Sequence, residues 1–388
     1  MKSIQKINFQ NIKTVGIRVD FNVPVNKNYN ITDKTRLLRA SETIKFVLAQ
    51  NCKILLISHF GRPKESFEDK FSFHHLIDQF SEALGLKLNL ITYADFLKNG
   101  LKDFISSNEN LSLLENIRFF PGEKKNDENF SKQISNYLDL YINEAFSASH
   151  RSHASVNQIP KITNAFPGLN FEKEVVAINE IKNSDKKKLA IIGGSKVSTK
   201  INTLLSLTKS CANIFIGGAM ANNFLKYQGT PVSSSLLEDG SDTMIKEIYS
   251  IAKDYDCEIH LPLDVVTNNQ ESLTIDQLSS VDSFKILDLS DMSVKLLDTL
   301  ITRSEIILWN GPMGMIEDPA FAKGSIKLAN LLAESSNKVV IGGGDTLLAI
   351  NLANVSFDKY HFVSTAGGAF LEALEEDELP GVKVLNQD

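Results

Sequence analysis

Residues 16–26, GIRVDFNVPVN, read as a β-strand with an unusual polar face. Side chains alternate along a strand, so Ile17, Val19, Phe21 and Val23 point one way and Arg18, Asp20 and Asn22 the other. A solvated edge strand would carry Thr, Lys or Glu there, because Asp and Asn are poor strand formers. Pro24 stops the ladder, which places the polar residues near the strand's carboxyl end. That face calls for a partner other than bulk water.

Similar short apolar runs recur along the chain with helical stretches between them. The first half has VGIRV, KILLIS, LSLLE and LDLYIN; the second has KLAIIG, NIFIGG, EIILWNG, KVVIGGG and YHFVST. This alternation predicts an α/β fold of doubly wound domains with mainly parallel sheets. In the second half nearly every run ends in glycine: Gly193-Gly194, Gly217-Gly218, Gly311, Gly342-Gly343-Gly344 and Gly367-Gly368. Loops of that kind share the carboxyl edge of a sheet, where glycine lets backbone approach a phosphate at a helix N-terminus.

A chain of 388 residues is long enough for two domains, each with its own core. With 43% hydrophobic and 23% charged residues it is ordinary for a globular protein, so disorder and coiled coil are disfavoured. No apolar run is long enough to span a bilayer. The start, MKSIQKINFQNIK, has no apolar export signal, and Cys52, Cys211 and Cys257 are scattered as in a reducing compartment, so a cytoplasmic protein is expected. The net charge of −6 argues against a nucleic-acid surface. Yet six of the seven arginines lie at or before Arg151 in a chain that otherwise uses lysine, which points to selective placement for carboxylate or phosphate.

Those arginines fall in marked contexts: DKTRLLRAS, SHFGRPK, LLENIRFFPGE and ASHRSHAS. Arg36 opens a helix, while His59, Arg62 and Arg118 directly follow strand-like runs, which brings them to one sheet edge with Asp20 and Asn22. Singly each arginine reads as a surface charge; together they read as a site for a small multivalent anion. His150 and His153 are three apart on a possible turn and could ligate metal, but with no Cys or carboxylate partner nearby in sequence hydrogen-bonding roles are favoured. IIGGSKVSTK puts Lys196 and Lys200 at a helix start, four apart and so on one face, without the order of a P-loop. VIGGGDTLLAI has Leu347 where a dinucleotide fingerprint needs its third glycine. Asp345 reads as an N-cap, or as a carboxylate sharing a divalent cation with phosphates. LWNGPMGMIE, with the only Trp, reads as a turn-rich loop.

Taken in order, RVDFNVP, SHFGRP, LLENIRF, GGSKVSTK, LWNGPMG, GGGDT and a closing LPGV give a sequence that resembles the phosphoglycerate kinase family over essentially its whole length. The resemblance implies two Rossmann-like domains facing a cleft: residues 1–169 for the acid substrate, an interdomain helix over 170–185, residues 186–367 for the nucleotide, and a segment 368–388 returning to the first domain. It implies that Asp20, Asn22, Arg36, His59, Arg62, Arg118 and Arg151 line a 3-phosphoglycerate site. Lys200, Asn310, Glu317, Gly343, Gly344, Asp345 and Thr346 would hold ADP or ATP, Asp345 would contact Mg²⁺, and Arg36 and Lys196 would be catalytic. The implied activity is glycolytic phosphoryl transfer after hinge closure, by a monomer with no nucleic-acid or membrane partner. A non-catalytic nucleotide or sugar-phosphate sensor and an NAD-dependent oxidoreductase are the competing readings. Ala219, Ala366, Glu144 and Ser147 depart from the family's habit of Gly, Gly, Asp and Gly, which bears on nucleotide affinity and hinge geometry.

Overall fold

The computed structural model describes residues 1–376 and 378–386. They divide into two compact units, Met1–Val176 with the segment after Glu376, and Ala177–Glu376. Among the described residues no helix is long and apolar enough to cross a membrane.

The first unit contains β1 (Thr14–Arg18), β2 (Lys53–Ile57), β3 (Asn89–Ile91), β4 (Leu111–Leu114), β5 (Leu140–Asn143) and β6 (Ala165–Pro167). They form one sheet in the order β3-β4-β2-β1-β5-β6, parallel throughout. Val15, Ile17, Ile54, Leu56, Leu113 and Ile142 pack into one core, while Leu55, Ile57, Leu114 and Tyr141 pack into another on the opposite face. Burial on both faces explains why these strands read as apolar runs. Helix Thr35–Leu48 lies on the first of these cores because Leu37, Ala40, Ile44 and Val47, spaced three and four apart, all face inward.

The second unit contains β7 (Lys188–Ile192), β8 (Asn213–Ile216), β9 (Glu258–His260), β10 (Asp264–Thr267), β11 (Ser272–Thr274), β12 (Ile286–Leu289), β13 (Ile306–Asn310), β14 (Lys338–Gly342) and β15 (Phe362–Val363). Six strands make a second parallel sheet, β15-β14-β13-β7-β8-β9, and β11-β10-β12 form a small antiparallel sheet. The α/β reading with two mainly parallel sheets is borne out.

Three features differ from expectation. The opening strand ends at Arg18 rather than running to Pro24. Val19 N still bonds Ile57 O at 2.9 Å, but Phe21 N turns to Ser58 Oγ at 2.9 Å and Asn22 N folds back to Asp20 Oδ1 at 3.1 Å. The apolar alternation nevertheless continues, since Val19, Phe21 and Val23 are all buried in the same core. Second, Gly368–Glu375 is a helix of the second unit, not the start of a return to the first. Phe370 packs so closely on Gly342 that a Cβ there would lie 2.3 Å from its ring, and Ser206 Oγ donates to Leu374 O at 2.7 Å. The first unit regains the chain later, where Gly381 N donates to Ser149 O at 2.9 Å. Third, Lys196 and Lys200 both precede the helix Ile201–Thr208, so they share no helical face.

The helix expected at the junction spans Leu169–Asn183, and the division between units falls inside it. Phe171, Ile178 and Ile181 are buried as their spacing predicts. Its N-terminus rests on Glu144, whose Oε1 accepts from Asn170 N at 3.1 Å and Asn170 Nδ2 at 2.8 Å. A Cβ on Gly168 would lie 1.6 Å from Glu144 Oε2, so only glycine lets the chain pass this longer carboxylate. Burial pushes the Glu144 carboxyl up to about 8, against a partial opposing pull from Asn170. The folded chain therefore holds a proton that the unfolded chain loses near pH 4.5, and the resulting stability fades as pH rises through about 8. Glu144→Gln, which keeps the shape without the charge, should match the parent near pH 4.5 and exceed it by on the order of 3 kcal/mol near pH 9 in urea denaturation.

Candidate functional site

In each parallel sheet one strand sits between neighbours reached by diverging connections: β1 lies between β2 and β5, and β7 between β8 and β13. At such points the loops leaving the carboxyl ends part, and the gap between them accepts ligands.

At the first of these points, Asp20 Oδ2 accepts from Arg36 at 2.7 Å and from the Ser147 hydroxyl. Arg36 also donates to Asn22 O at 3.1 Å. Asn22 Oδ1 receives Gly61 N at 2.9 Å, and Arg118 donates to Gly61 O at 2.8 Å. These bonds draw the loops after β1, β2, β4 and β5 together. Arg62, one residue beyond Gly61, is exposed, and Arg151 is half-buried with its Nε donating to His150 Nε2 at 2.8 Å. His150 and His153 do not share a helical turn; His153 Nδ1 lies 3.8 Å from Glu123, and burial with nearby arginines lowers its imidazole to about 4.

Beneath this layer lies Arg18, 1% exposed, which the sequence reading placed on the polar face without assigning it to a site. Its Nε donates to Ser155 Oγ at 2.9 Å, and Ser155 Oγ passes its hydrogen to the buried carboxylate of Glu123 at 2.6 Å. Its other end donates to His59 Nδ1 at 3.0 Å. Burial, then Arg18 and Arg118, hold His59 well below its usual range. His59 is thus neutral with its hydrogen on Nε2, a donor rather than a charge. Arg118 is lowered to about 10 by burial and by Arg18 and Arg151, and its Nε is buried without a partner. A buried donor left unpaired among repelling cations is a place for an anion.

At the second point the strands end in glycine. Lys200 Nζ donates to Gly193 O at 2.6 Å, to Asn310 O at 3.3 Å and to Asn310 Oδ1. Asn310 Nδ2 reaches Gly342 O at 2.7 Å, and Thr346 Oγ1 accepts from Gly311 N at 2.7 Å while donating to Gly342 O at 2.8 Å. Burial lowers Lys200 to about 8, with Asp345 pulling the other way. Gly343, at φ 101, is the residue before the helix Gly344–Leu352; a Cβ there would lie 2.8 Å from Asn310 Nδ2. Asp345 is the second residue of that helix and exposed, not its N-cap, so its carboxylate is free to face solvent at the positive end of the helix. Lys196 is exposed in the loop after β7, close enough to Glu238 to help lower its carboxyl.

Beside this network is a cavity of about 450 Å³. Leu225, Leu236, Val265 and Met313 give it apolar walls, and Glu317 and Asp345 add carboxylates. Leu225, Leu236 and Val265 come from separated parts of the chain and form no local pattern, whereas Glu317 and Asp345 stand in motifs visible in the sequence. Asp288 also lines it, its carboxyl raised to about 6 by burial while accepting Gly324 N at 2.8 Å. Ala219 lines it too, at φ −63, so its methyl group introduces no backbone strain.

A family model described as phosphoglycerate kinase matches residues 4–377. A phosphoglycerate kinase of Wolbachia sp. subsp. Drosophila simulans (strain wRi) is 37% identical over 396 residues, covering 99% of this chain and 98% of that protein. One from Campylobacter fetus subsp. fetus (strain 82-40) is 39% identical over 395 residues, with coverage of 99% and 98%. Among solved structures, phosphoglycerate kinase from Coxiella burnetii superposes with a TM-score of 0.88 at 33% identity, covering 99% of this chain and 98% of that one. That from Pyrococcus horikoshii OT3 gives 0.82 at 25% identity, with the same coverage.

The two lysines of the glycine-rich loop should separate cleanly on substitution. Lys200→Met strands Asn310 Oδ1 and Gly193 O and should cost about 2–3 kcal/mol of stability, whereas Lys196→Ala at an exposed position should stay within about 0.5 kcal/mol, both read by urea denaturation.

Proposed function

This chain belongs to the phosphoglycerate kinase family, and from that premise we propose which of its residues carry the reversible transfer of a phosphoryl group between 1,3-bisphosphoglycerate and ADP, giving 3-phosphoglycerate and ATP. The first switch point takes the acid: Arg36, Arg62, Arg118 and Arg151 supply charge, neutral His59 donates a hydrogen bond, and Asp20 and Asn22 hold the guanidinium groups and loops in place. Arg118 is the observation that carries this assignment, because its buried Nε, unpaired among the described residues and beside other arginines, is a donor suited to an anion. The second switch point takes the nucleotide. The apolar cavity suits a base, Glu317 would accept from ribose hydroxyls, and Lys200, Asn310, Thr346 and the Gly343-Gly344 turn would order the backbone amides that face phosphate.

Magnesium fits the donor present, since a single exposed carboxylate at a helix N-terminus is the kind of ligand that Mg²⁺ shares with phosphates. Asp345 would hold it, and the ion would neutralise phosphate charge. The attacking oxygen is ionised at neutral pH in either direction, so the protein needs no general base. Its own residues act by placing donor and acceptor in line, excluding water and opposing charge on the moving group, the roles proposed for Arg36 and Lys196. Transfer further requires the acid and nucleotide to meet, so hinge closure is part of the proposal, as are a monomeric state and a cytoplasmic location. The sensor reading is not favoured, because Arg36, Lys196 and Asp345 are all present; Leu347 argues against the NAD-dependent one.

A coupled assay should show ATP consumption that requires 3-phosphoglycerate and stops on chelation of Mg²⁺; folded protein without turnover would return the sensor reading. Lys196→Ala should lower kcat by about a hundredfold or more while changing the nucleotide Kd by less than about threefold. Equal losses in both would remove Lys196 from its catalytic role.

A further inference from the structure

The loop after β2 holds two short turns, Asp69–Phe71 and Phe73–His75, in which the side chains of Asp69, His74 and His75 converge. His75 Nε2 lies 3.0 Å from Asp69 Oδ2, and His74 Nε2 lies 3.6 Å from Asp69 Oδ1. One ligand atom from each of Asp69, His74 and His75 falls within 4.8 Å of the others. A tetrahedral zinc ion with bonds near 2.1 Å sets its ligand atoms about 3.4 Å apart, so modest side-chain rotation suffices.

The hydrogen-bond partners orient His74 for metal binding. Ser72 Oγ donates to the buried Glu115 Oε2 at 2.5 Å, so toward His74 Nδ1, 2.9 Å away, it can only accept. His74 Nδ1 therefore carries a hydrogen, which leaves Nε2, 3.6 Å from Asp69 Oδ1, as the ring atom able to bind a metal. The arrangement of metal-facing nitrogen, opposite N–H, hydroxyl and carboxylate is the outer support that metal-bound histidines use. The His75 ring is also held, stacked on Tyr29 at 4.2 Å and 13°. Side-chain exposures of 47% for His74, 23% for His75 and 67% for Asp69 leave an entry path and room for water as a fourth ligand.

We propose that Asp69, His74 and His75 bind a divalent transition metal of the zinc class, separately from the nucleotide's magnesium. Two imidazoles and one carboxylate suit Zn²⁺, Co²⁺ or Ni²⁺ and not Mg²⁺, which prefers oxygen ligands. Its effect would be local order. Phe71, inside the same loop, packs against Gly61, where a Cβ would lie 2.4 Å from its ring, and Asn116 Nδ2 ties Phe60 O and Phe71 O together at 2.7 and 3.0 Å. A metal that clamps Asp69 to His74 thus steadies the segment leading back to Arg62.

The test is calorimetric titration of Zn²⁺ into the full chain with excess Mg²⁺ present, and Co²⁺ titration followed by its visible absorption. The parent should bind one Zn²⁺ with micromolar affinity and give the intense bands of tetrahedral Co²⁺. His74→Gln and His75→Gln should each weaken binding at least tenfold, and Ser72→Ala about tenfold, with circular dichroism and the Mg²⁺-dependent activity of the histidine variants unchanged. Absence of saturable one-to-one binding, or equal binding by the double histidine variant, overturns the proposal.

Discussion

A guanidinium taken out of water must be met on every side, and Arg18 shows how the first unit does so. It ends β1, is 1% exposed, and reaches Ser155, Val19 O and His59. Ser155 in turn leans on Glu123, and Tyr141 OH donates to Ser155 O at 2.6 Å. Buried polar bonds therefore tie the segment after β5 to the end of β1. Such networks lose more on removal of one member than any pair contributes, because each remaining group is left dry and unpaired. Arg118, like Arg18, is buried at this sheet edge, whereas Arg62 is exposed.

The second unit solves the corresponding problem with an ammonium group. Lys200 gathers the ends of β7 and β13, and Asn310 and Thr346 extend the tie to β14. Here the backbone comes close enough that glycine is a steric need. A Cβ at Gly218 would lie 2.8 Å from Gly194 N and 2.9 Å from Pro312 O. Three strand ends are thus tied through their carbonyl groups by Lys200, Asn310 and Thr346.

What the sequence made legible follows from burial. Runs such as KILLIS and EIILWNG are apolar because their strands are covered on both faces, so they stand out without alignment. Asn89–Ile91, Ala165–Pro167 and Glu258–His260 are three-residue edge strands, too short and too mixed to register as runs. The antiparallel sheet over 264–289 escaped because its strands, such as DVVT and ILDL, mix acidic and apolar residues and form no continuous apolar run. Asp20, Asn22, His59 and Arg118 were legible as strand-end polar residues and Arg36 as a helix-start cation, and Asp20 and Asn22 O both accept from Arg36. Arg18 was visible on that face, but its burial depends on Ser155 and Glu123, more than a hundred residues away, and no local pattern reports such a contact. The helix expected to start at Lys196 begins instead at Ile201, after a turn over 198–200.

Trp309 carries a practical corollary. It is the only tryptophan, is fully buried in β13, and its indole N–H donates to Gly311 O at 2.9 Å, one residue from Asn310. Selective excitation of the indole makes the chain report from the second unit alone, with the emitter wired to the glycine turn beside Lys200. Loosening of that turn would reach the fluorophore through a single bond, whereas unfolding confined to the first unit would pass unseen in its emission.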